Sequence, residues 1–352
     1  MKRGLLIIIF MLCFFGLVGC QSSKVSYKDP ETGEEREIKI EKTSDKEEVV
    51  DSIYALLLSD REIKDDSKLT LDLDFSVELK DEENIIKITG NCFSSINTNK
   101  EKIIDDLSDK EKEQLVEGYY KITFKGSNTK DDKEVKYSRS TIEEFVEDGK
   151  SYLKFDIDEK FIDLLEEIFP PLWFELDQIK DKIIVLDGNL LLNSLIPSSS
   201  IVDIIDVNTM SEVLEKYAKA SGDSIDYASL RAETEAIVKK LGVEIVNVSG
   251  ADVSYKFAIG ELLKEEYGQY FNNSLCEVVL TLNVADISLV DLKVDFATKD
   301  KNEETKVSIQ CDVSYKARIT KISDKDKENA EDGMEYLKDF VKKYAQYIYN
   351  QK

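Results

Sequence analysis

Between residues 69 and 79 every odd position is apolar (Leu69, Leu71, Leu73, Phe75, Val77, Leu79), and every even position is polar (Thr70, Asp72, Asp74, Ser76, Glu78). Successive side chains of a strand point to opposite faces, whereas a helix with 3.6 residues per turn would scatter these six around its axis. The segment therefore predicts a half-buried strand. Its register is fixed, because a slip of one residue would put every leucine in water. Such a strand needs partners and a cover for one face. A turn at 81–84 leads to the first partner, with Ile86, Ile88, Cys92 and Ile96 on one side and Lys87, Thr89 and Asn91 on the other.

The same period returns near 118–125, 134–146 and 150–157. It returns again at Val253 to Ile259, Cys276 to Leu282, Val290 to Phe296 and Ile309 to Ile319. Helical spacing fills the gaps. Ser44-Asp45-Lys46-Glu47 has capping-box spacing ahead of Val49, Val50, Ile53, Leu56 and Leu57, predicting a helix near 45–59. The stretch 159–241 changes character and reads as a helical insertion. It has a short helix stopped by Pro170-Pro171, then helices at Thr209 to Lys219 and at Asp226 to Leu241, the latter closed by Gly242. A closing helix over 324–350 carries Met334, Leu337, Val341, Tyr344 and Ile348 on one stripe. Two blocks of hairpin-linked strands with helices between and around them predict an α+β fold. It is a large curved antiparallel sheet whose apolar face is covered by helices, in a single domain over 45–352.

The N-terminus carries a different signal. Lys2 and Arg3 precede an apolar run from Leu5 to Val18, which has the charge and length of a secretory segment and is short for a membrane span. It ends in Leu17-Val18-Gly19-Cys20 before Gln21-Ser22-Ser23. This run resembles a bacterial lipoprotein signal with its lipobox. The resemblance implies that residues 1–19 are removed, and that Cys20 is lipidated and anchors the chain extracytoplasmically to the cell membrane. In an envelope of two membranes, Gln21 resembles the outer-membrane-sorted type. Residues 20–44 would then be a lipidated tether, read as a flexible stalk or as a small hairpin of Val25 to Tyr27 with Glu37 to Ile40. No later stretch reaches about 18 consecutive apolar residues.

Composition narrows the chemistry. Forty-eight Lys and Arg stand against seventy-two Asp and Glu, a formal net charge of −24, so a basic groove for nucleic acid is excluded as a partner site. The chain has no histidine, which removes Ser-His and Cys-His pairs and imidazole metal ligands. Ser151-x-x-Lys154 has the spacing of a serine–lysine pair, but it lies in an alternating strand where positions three apart face opposite ways. Ser127-x-x-Lys130 sits in a polar turn. Asp324-x-Asp326-x-Glu328 imitates a calcium loop, yet Asn329 stands where that loop needs Gly, and an acidic helix start explains it. Asp72/Asp74 and Asp156/Asp158 read as solvated strand faces. No catalytic residue, metal ligand or cofactor site is expected, and the chain reads as a non-enzyme. Cys92, Cys276 and Cys311 fall on apolar faces as small buried hydrophobes, with a Cys276–Cys311 disulfide as the open alternative.

Trp173 lies in Pro170-Pro171-Leu172-Trp173-Phe174, between apolar helical stretches. Core packing is one reading. The other is a lid of Phe161, Leu165, Phe169, Trp173 and Phe174 over a concave apolar sheet, with room for an acyl chain. The lipobox, the strand pairs 69–79/86–96 and 276–284/290–298, the inserted block and the closing helix together resemble the LolA-like superfamily of envelope lipid and lipoprotein carriers. That resemblance implies a membrane-anchored lipoprotein binding a hydrophobic small molecule or lipid. The alternative is a non-catalytic interaction, scaffold or adhesin lipoprotein with a packed core.

Overall fold

The computed structural model describes residues 23–30, 32–59, 67–82, 84–99, 107–108, 111, 114–130, 133–162, 180, 182–187, 226–260, 275–300, 303–336, 338 and 342. The signal segment with Cys20 and the helix read at 209–219 lie outside them. Strands dominate and helices are few. The chain divides into two compact units, Met1–Asp66 with Ile204–Tyr315, and Ser67–Asp203 with Lys316–Lys352.

The first unit begins with β1 (Lys24–Lys28) and β2 (Glu35–Lys39), an antiparallel hairpin. This corrects the stalk reading of the 20–44 tether for its described part. Val25 is fully buried, Tyr27 meets Tyr54 edge-on at 6.4 Å, and Ile40 is 2% exposed. Three inward side chains are enough to dock an otherwise polar ribbon. Helix α1 (Lys46–Leu57) follows, capped by Asp45 rather than Ser44: its carboxylate accepts from the Glu47 and Glu48 amides. Helix α2 (Tyr227–Lys240) is capped by Asp226 and ends before Gly242. Five strands then meander: β9 (Glu244–Ser249), β10 (Asp252–Ala258), β11 (Leu275–Asn283), β12 (Ser288–Asp300) and β13 (Glu303–Ser314), all neighbours antiparallel. The buried stripe of α1 (Val49, Val50, Ile53, Leu56, Leu57) belongs to this unit's core with Val238, Leu241, Ile245 and Val253. Ser52 Oγ lies 2.5 Å from the hydroxyl of Tyr255, a fully buried side chain. Arg231 pairs with Asp51 at 2.5 Å and sits 5.3 Å from the Tyr54 ring centroid.

The second unit contains β3 (Lys68–Lys80), β4 (Asn84–Thr98), β5 (Val116–Lys130), β6 (Lys133–Glu147), β7 (Lys150–Asp156) and β8 (Ile183–Asp187) as consecutive antiparallel neighbours. Strand β8 lies within the block read as a helical insertion, in the apolar stretch to which no helix is assigned. A short apolar run such as Ile183-Ile184-Val185-Leu186 carries no periodicity, and here both its neighbours are strands. The closing helix read over 324–350 is corrected for its described part; Leu337, Val341, Tyr344 and Ile348 of its stripe lie outside the described residues. The described part breaks into α3 (Asp324–Glu328) and β14 (Glu331–Asp332), with helix resuming at 333. The stretch 324–332 is almost wholly charged and has no apolar stripe to hold it on a sheet. Strand β14 runs parallel to β8, so this sheet is mixed rather than purely antiparallel. Before α3 the chain crosses the polar side of the sheet, where Thr70 Oγ1 donates to the Lys316 carbonyl and the Arg318 amide donates to Ser95 Oγ.

Candidate functional site

The register of the second unit gathers the apolar phase of six strands onto one face. Leu71, Ser94, Tyr120, Glu144, Leu153 and Ile184 form one row across β3 to β8. Leu73, Cys92, Ile122, Ile142 and Phe155 form the next, followed by Phe75, Gly90, Phe124 and Ser140, and then by Val77, Ile88, Gly126 and Tyr137. The alternation predicted at 69–79 is therefore present, but its depth differs from expectation. Leu69, Leu71, Leu73, Phe75, Val77 and Leu79 are all only half-buried, as are Ile86, Ile88, Ile122, Phe124, Ile142 and Phe155. A contiguous apolar face that keeps part of its area accessible is what protein–ligand and protein–lipid contact surfaces look like.

The row from Ser94 to Ile184 is more deeply buried, although Leu71 at its β3 end is half-buried. Glu144 is fully buried, Ser94 is 5% and Tyr120 8% exposed, and the flanking Leu153 and Ile184 are each 4% exposed. Ser151, also fully buried, donates its hydroxyl to Glu144 Oε1 at 2.5 Å. The turn Asp148-Gly149, two residues at positive φ, sets this pairing by placing Val146 opposite Ser151 and Glu144 opposite Leu153. Tyr120 and Cys92 share a hydrogen bond. Burial raises the Tyr120 hydroxyl pKa, with Cys92 and the charge of Glu144 adding to it. Burial likewise raises the Cys92 thiol, against the hydrogen bond from Tyr120. Among the described residues of this face, Glu144 is a buried carboxyl set beside the hydroxyls of Ser94, Tyr120 and Ser151.

One helical turn at 159–162 lies over the open end. Phe161 is 4% exposed, with its ring centroid 4.8 Å from Phe124 and 5.7 Å from Tyr137. Ile157, Phe161 and Ile162 form a buried cluster with Tyr137, against which Ile86, Ile88, Phe124, Ile142 and Phe155 pack. Asp158 holds this turn. Its Oδ1 accepts from the Lys160 amide at 2.9 Å, its Oδ2 from the Ser138 amide at 2.9 Å, and its own amide donates to Ser140 Oγ at 3.0 Å. Of the five lid residues, Phe161 is placed on the sheet. Leu165, Phe169, Trp173 and Phe174 lie outside the described residues.

The other candidates resolve as follows. Ser151 is on the apolar face and Lys154 on the opposite one, paired in register with Glu143. Asp72 and Asp74 both accept from Asn91 Nδ2, at 2.6 and 3.1 Å. Cys92, Cys276 and Cys311 are free thiols. Cys276 sits in the Phe296–Val307 row and Cys311 in the Leu292–Leu280 row, with β12 between them. Two strand steps of ~4.8 Å and a four-residue offset of ~3.3 Å each far exceed disulfide reach, which removes that alternative. Among the described residues no group of three or more His, Cys, Asp or Glu could hold a metal ion, and no helix is long and apolar enough to cross a membrane. Sequence reasoning missed Glu144 and Asp158 as organising groups. The signal for Glu144 was present: it is the one charged residue in the apolar phase Ile142-x-Glu144-x-Val146.

No protein-family model and no curated relative matches the chain. Among solved structures, it is similar to the crystal structure of a beta-barrel-like protein of a domain of unknown function, DUF1849, from Brucella abortus. The identity is 8%, covering 70% of this chain and 98% of that one, and the TM-score is 0.16. At that score the likeness does not bear on the fold described above.

Proposed function

We propose that the chain is an extracytoplasmic lipoprotein, anchored to the cell membrane through acylated Cys20, that binds a hydrophobic small molecule or lipid without catalysis. The observation that carries the reading is the half-buried apolar face of β3 to β8, which is closed at the Glu144 row and overlaid by Phe161 at the other end. On this reading the 163–179 segment, with Leu165, Phe169, Trp173 and Phe174, completes a lid. The sheet with its covering helices is then a carrier of the LolA-like kind. The anchor would hold the body close to the bilayer, because Cys20 is three residues from Ser23, a reach of about 10 Å. Acyl chains at ~0.8 kcal/mol per buried CH₂ outweigh the repulsion of an acidic body from an anionic surface.

Two measurements test this. Radiolabelled palmitate should enter the wild-type chain in its native host and not the Cys20→Ala variant, which should leave the membrane fraction. Native mass spectrometry of the full chain should show a bound apolar molecule beyond the acyl anchor. A clean mass equal to the acylated polypeptide, with no uptake of an apolar dye, would leave the non-catalytic scaffold or adhesin as the function.

A further inference from the structure

We propose that residues 331–336 form a clasp over the β8 edge of the second unit's sheet. The clasp opens ahead of the sheet itself and uncovers the Leu153–Ile184–Leu186 end of the apolar face, whatever that face binds. The first observation is how the segment is seated. Strand β14 is the outermost strand, and it adds to β8 with Glu331 opposite Ile184 and Asp332 opposite Val185. The chain then turns onto the apolar face. A β-carbon at Gly333 would stand 2.5 Å from Ile184 Cγ2 and 2.6 Å from Leu186 Cδ2, so the bare backbone lies directly on those two side chains. Asp332 Oδ1 accepts from the Met334 amide at 2.9 Å, at the start of the helix that follows. That helix sets Tyr336 against the buried cluster of Leu153, Ile184 and Leu186.

The second observation is what holds the segment down. Lys182, in phase with Ile184, donates to Glu331 Oε2 at 3.0 Å and to the Tyr336 hydroxyl at 2.8 Å, and that hydroxyl donates to the same Glu331 oxygen. The Lys182 and Glu331 side chains are 38% and 48% exposed, where solvent screens an ion pair and leaves it little net worth. Glu331, Asp332, Met334 and Glu335 are exposed, which leaves buried Gly333 and half-buried Tyr336 as the packed part. The sheet beside it is held differently: β4 and β5, each 15 residues long, pair over their whole length. Segments with few buried contacts and solvated polar bonds open at lower free energy than a sheet interior. The third observation is a pivot. Lys327 pairs with Glu147 at 2.5 Å and ties α3 to β6, so Asn329 and Ala330 join a tethered turn to the clasp. Leu153, Ile184 and Leu186 are 4%, 4% and 9% exposed with the clasp shut. Lifting Gly333 and Tyr336 uncovers them and frees the hydrogen-bonding edge of β8.

Hydrogen exchange of the full chain at neutral pH, read by mass spectrometry, tests the clasp. Peptides covering 331–336 should exchange at least about tenfold faster than those covering 118–124 on the central strand β5. Lys182→Met keeps the apolar stem and removes the ammonium. It should speed exchange severalfold in 331–336 and in 183–187 together, with 118–124 unchanged, which also shows that the sheet is intact. Gly333→Ala pushes on Ile184 and Leu186 from the opposite side of the same contact and should act alike. Both variants should take up severalfold more of a neutral solvatochromic dye than wild type, since apolar side chains become accessible. One common exchange rate for 331–336, 183–187 and 118–124 would overturn the separate opening. Exchange that rises in 331–336 alone, or in neither segment, would overturn the hold on β8. Dye uptake equal to wild type in both variants would overturn the uncovering of the apolar end.

Discussion

The ring of Phe75 lies across Gly90 on the neighbouring strand, with Cζ 2.5 Å from where a β-carbon at position 90 would stand. The Thr123 carbonyl closes the same space from β5. The middle of the apolar face is therefore shaped by a missing side chain. Glycine costs a strand conformational entropy, and an aromatic ring laid over it recovers buried area. Gly90→Ala should destabilise the protein by about 2 kcal/mol through overpacking, read as a lower urea midpoint at unchanged slope. Pairing it with Phe75→Leu should recover less than half, because the Thr123 backbone cannot retreat as a ring can.

A second prediction concerns Ser151 and Glu144. Both are fully buried, and the hydroxyl donates to the carboxyl across the β6–β7 hairpin. Ser151→Ala removes a donor without exposing the acceptor, at an expected cost of about 1–3 kcal/mol. The double variant with Glu144→Leu should cost less than the sum of the single changes, since an apolar pair leaves no acceptor to desolvate. Denaturant melts of the four proteins measure that coupling directly.

How much of this was legible in the sequence depends on whether the pattern had one physical meaning. Strict alternation at 69–79 admits only a strand, and β3 covers it at both ends. Asp226 and Gly242 bracket α2 because a cap and a stop have specific chemistry. The β1–β2 hairpin was obscured by its composition: Val25 and Tyr27 alone face inward among charged neighbours. Strand β8 was ambiguous because a short apolar run suits a buried helix as well as a strand. The depth of the apolar face could not be foreseen, since alternation states which side faces in and not how well it is covered. Asp158 looked like half of a solvated pair with Asp156, and only the bend of β6 at Ser138 brings an amide to it.

Asp158 leads to a third prediction. The hydrogen bond from Ser138 is the main reason its carboxyl lies below the ordinary aspartate range, with the Lys160 and Phe161 amides contributing. A depressed folded-state pKa means that the native state favours the carboxylate. The stabilisation is then complete above the unfolded value of about 3.9, and it is lost as pH falls through the folded one. Asp158→Ala should cost about 1 kcal/mol at pH 7, as lost helix caps do, and loosen the turn that carries Phe161. Urea unfolding of variant and wild type should converge as pH drops toward 3.

The fourth prediction runs the opposite way with pH. Asp291 on β12 stands directly opposite Asp312 on β13, a like-charged pair in register. Burial, and then the Asp312 charge, raise its carboxyl above the ordinary range, although Lys293 opposes them. Between the unfolded value of about 3.9 and the raised folded one, the native state binds more protons than the unfolded chain. Stability must therefore fall as pH rises through that window, and the penalty is full above it. Asp291→Asn keeps the oxygen that accepts from Gln310 Nε2 and removes the charge. Because the site is partly solvated, the gain at pH 7 should be a few tenths of a kcal/mol to about 1. Thermal melts should show the variant above wild type at pH 7 and level with it below pH ~3.9. A variant less stable than wild type at neutral pH would mean that the carboxylate at 291 contributes more than its opposition to Asp312 costs.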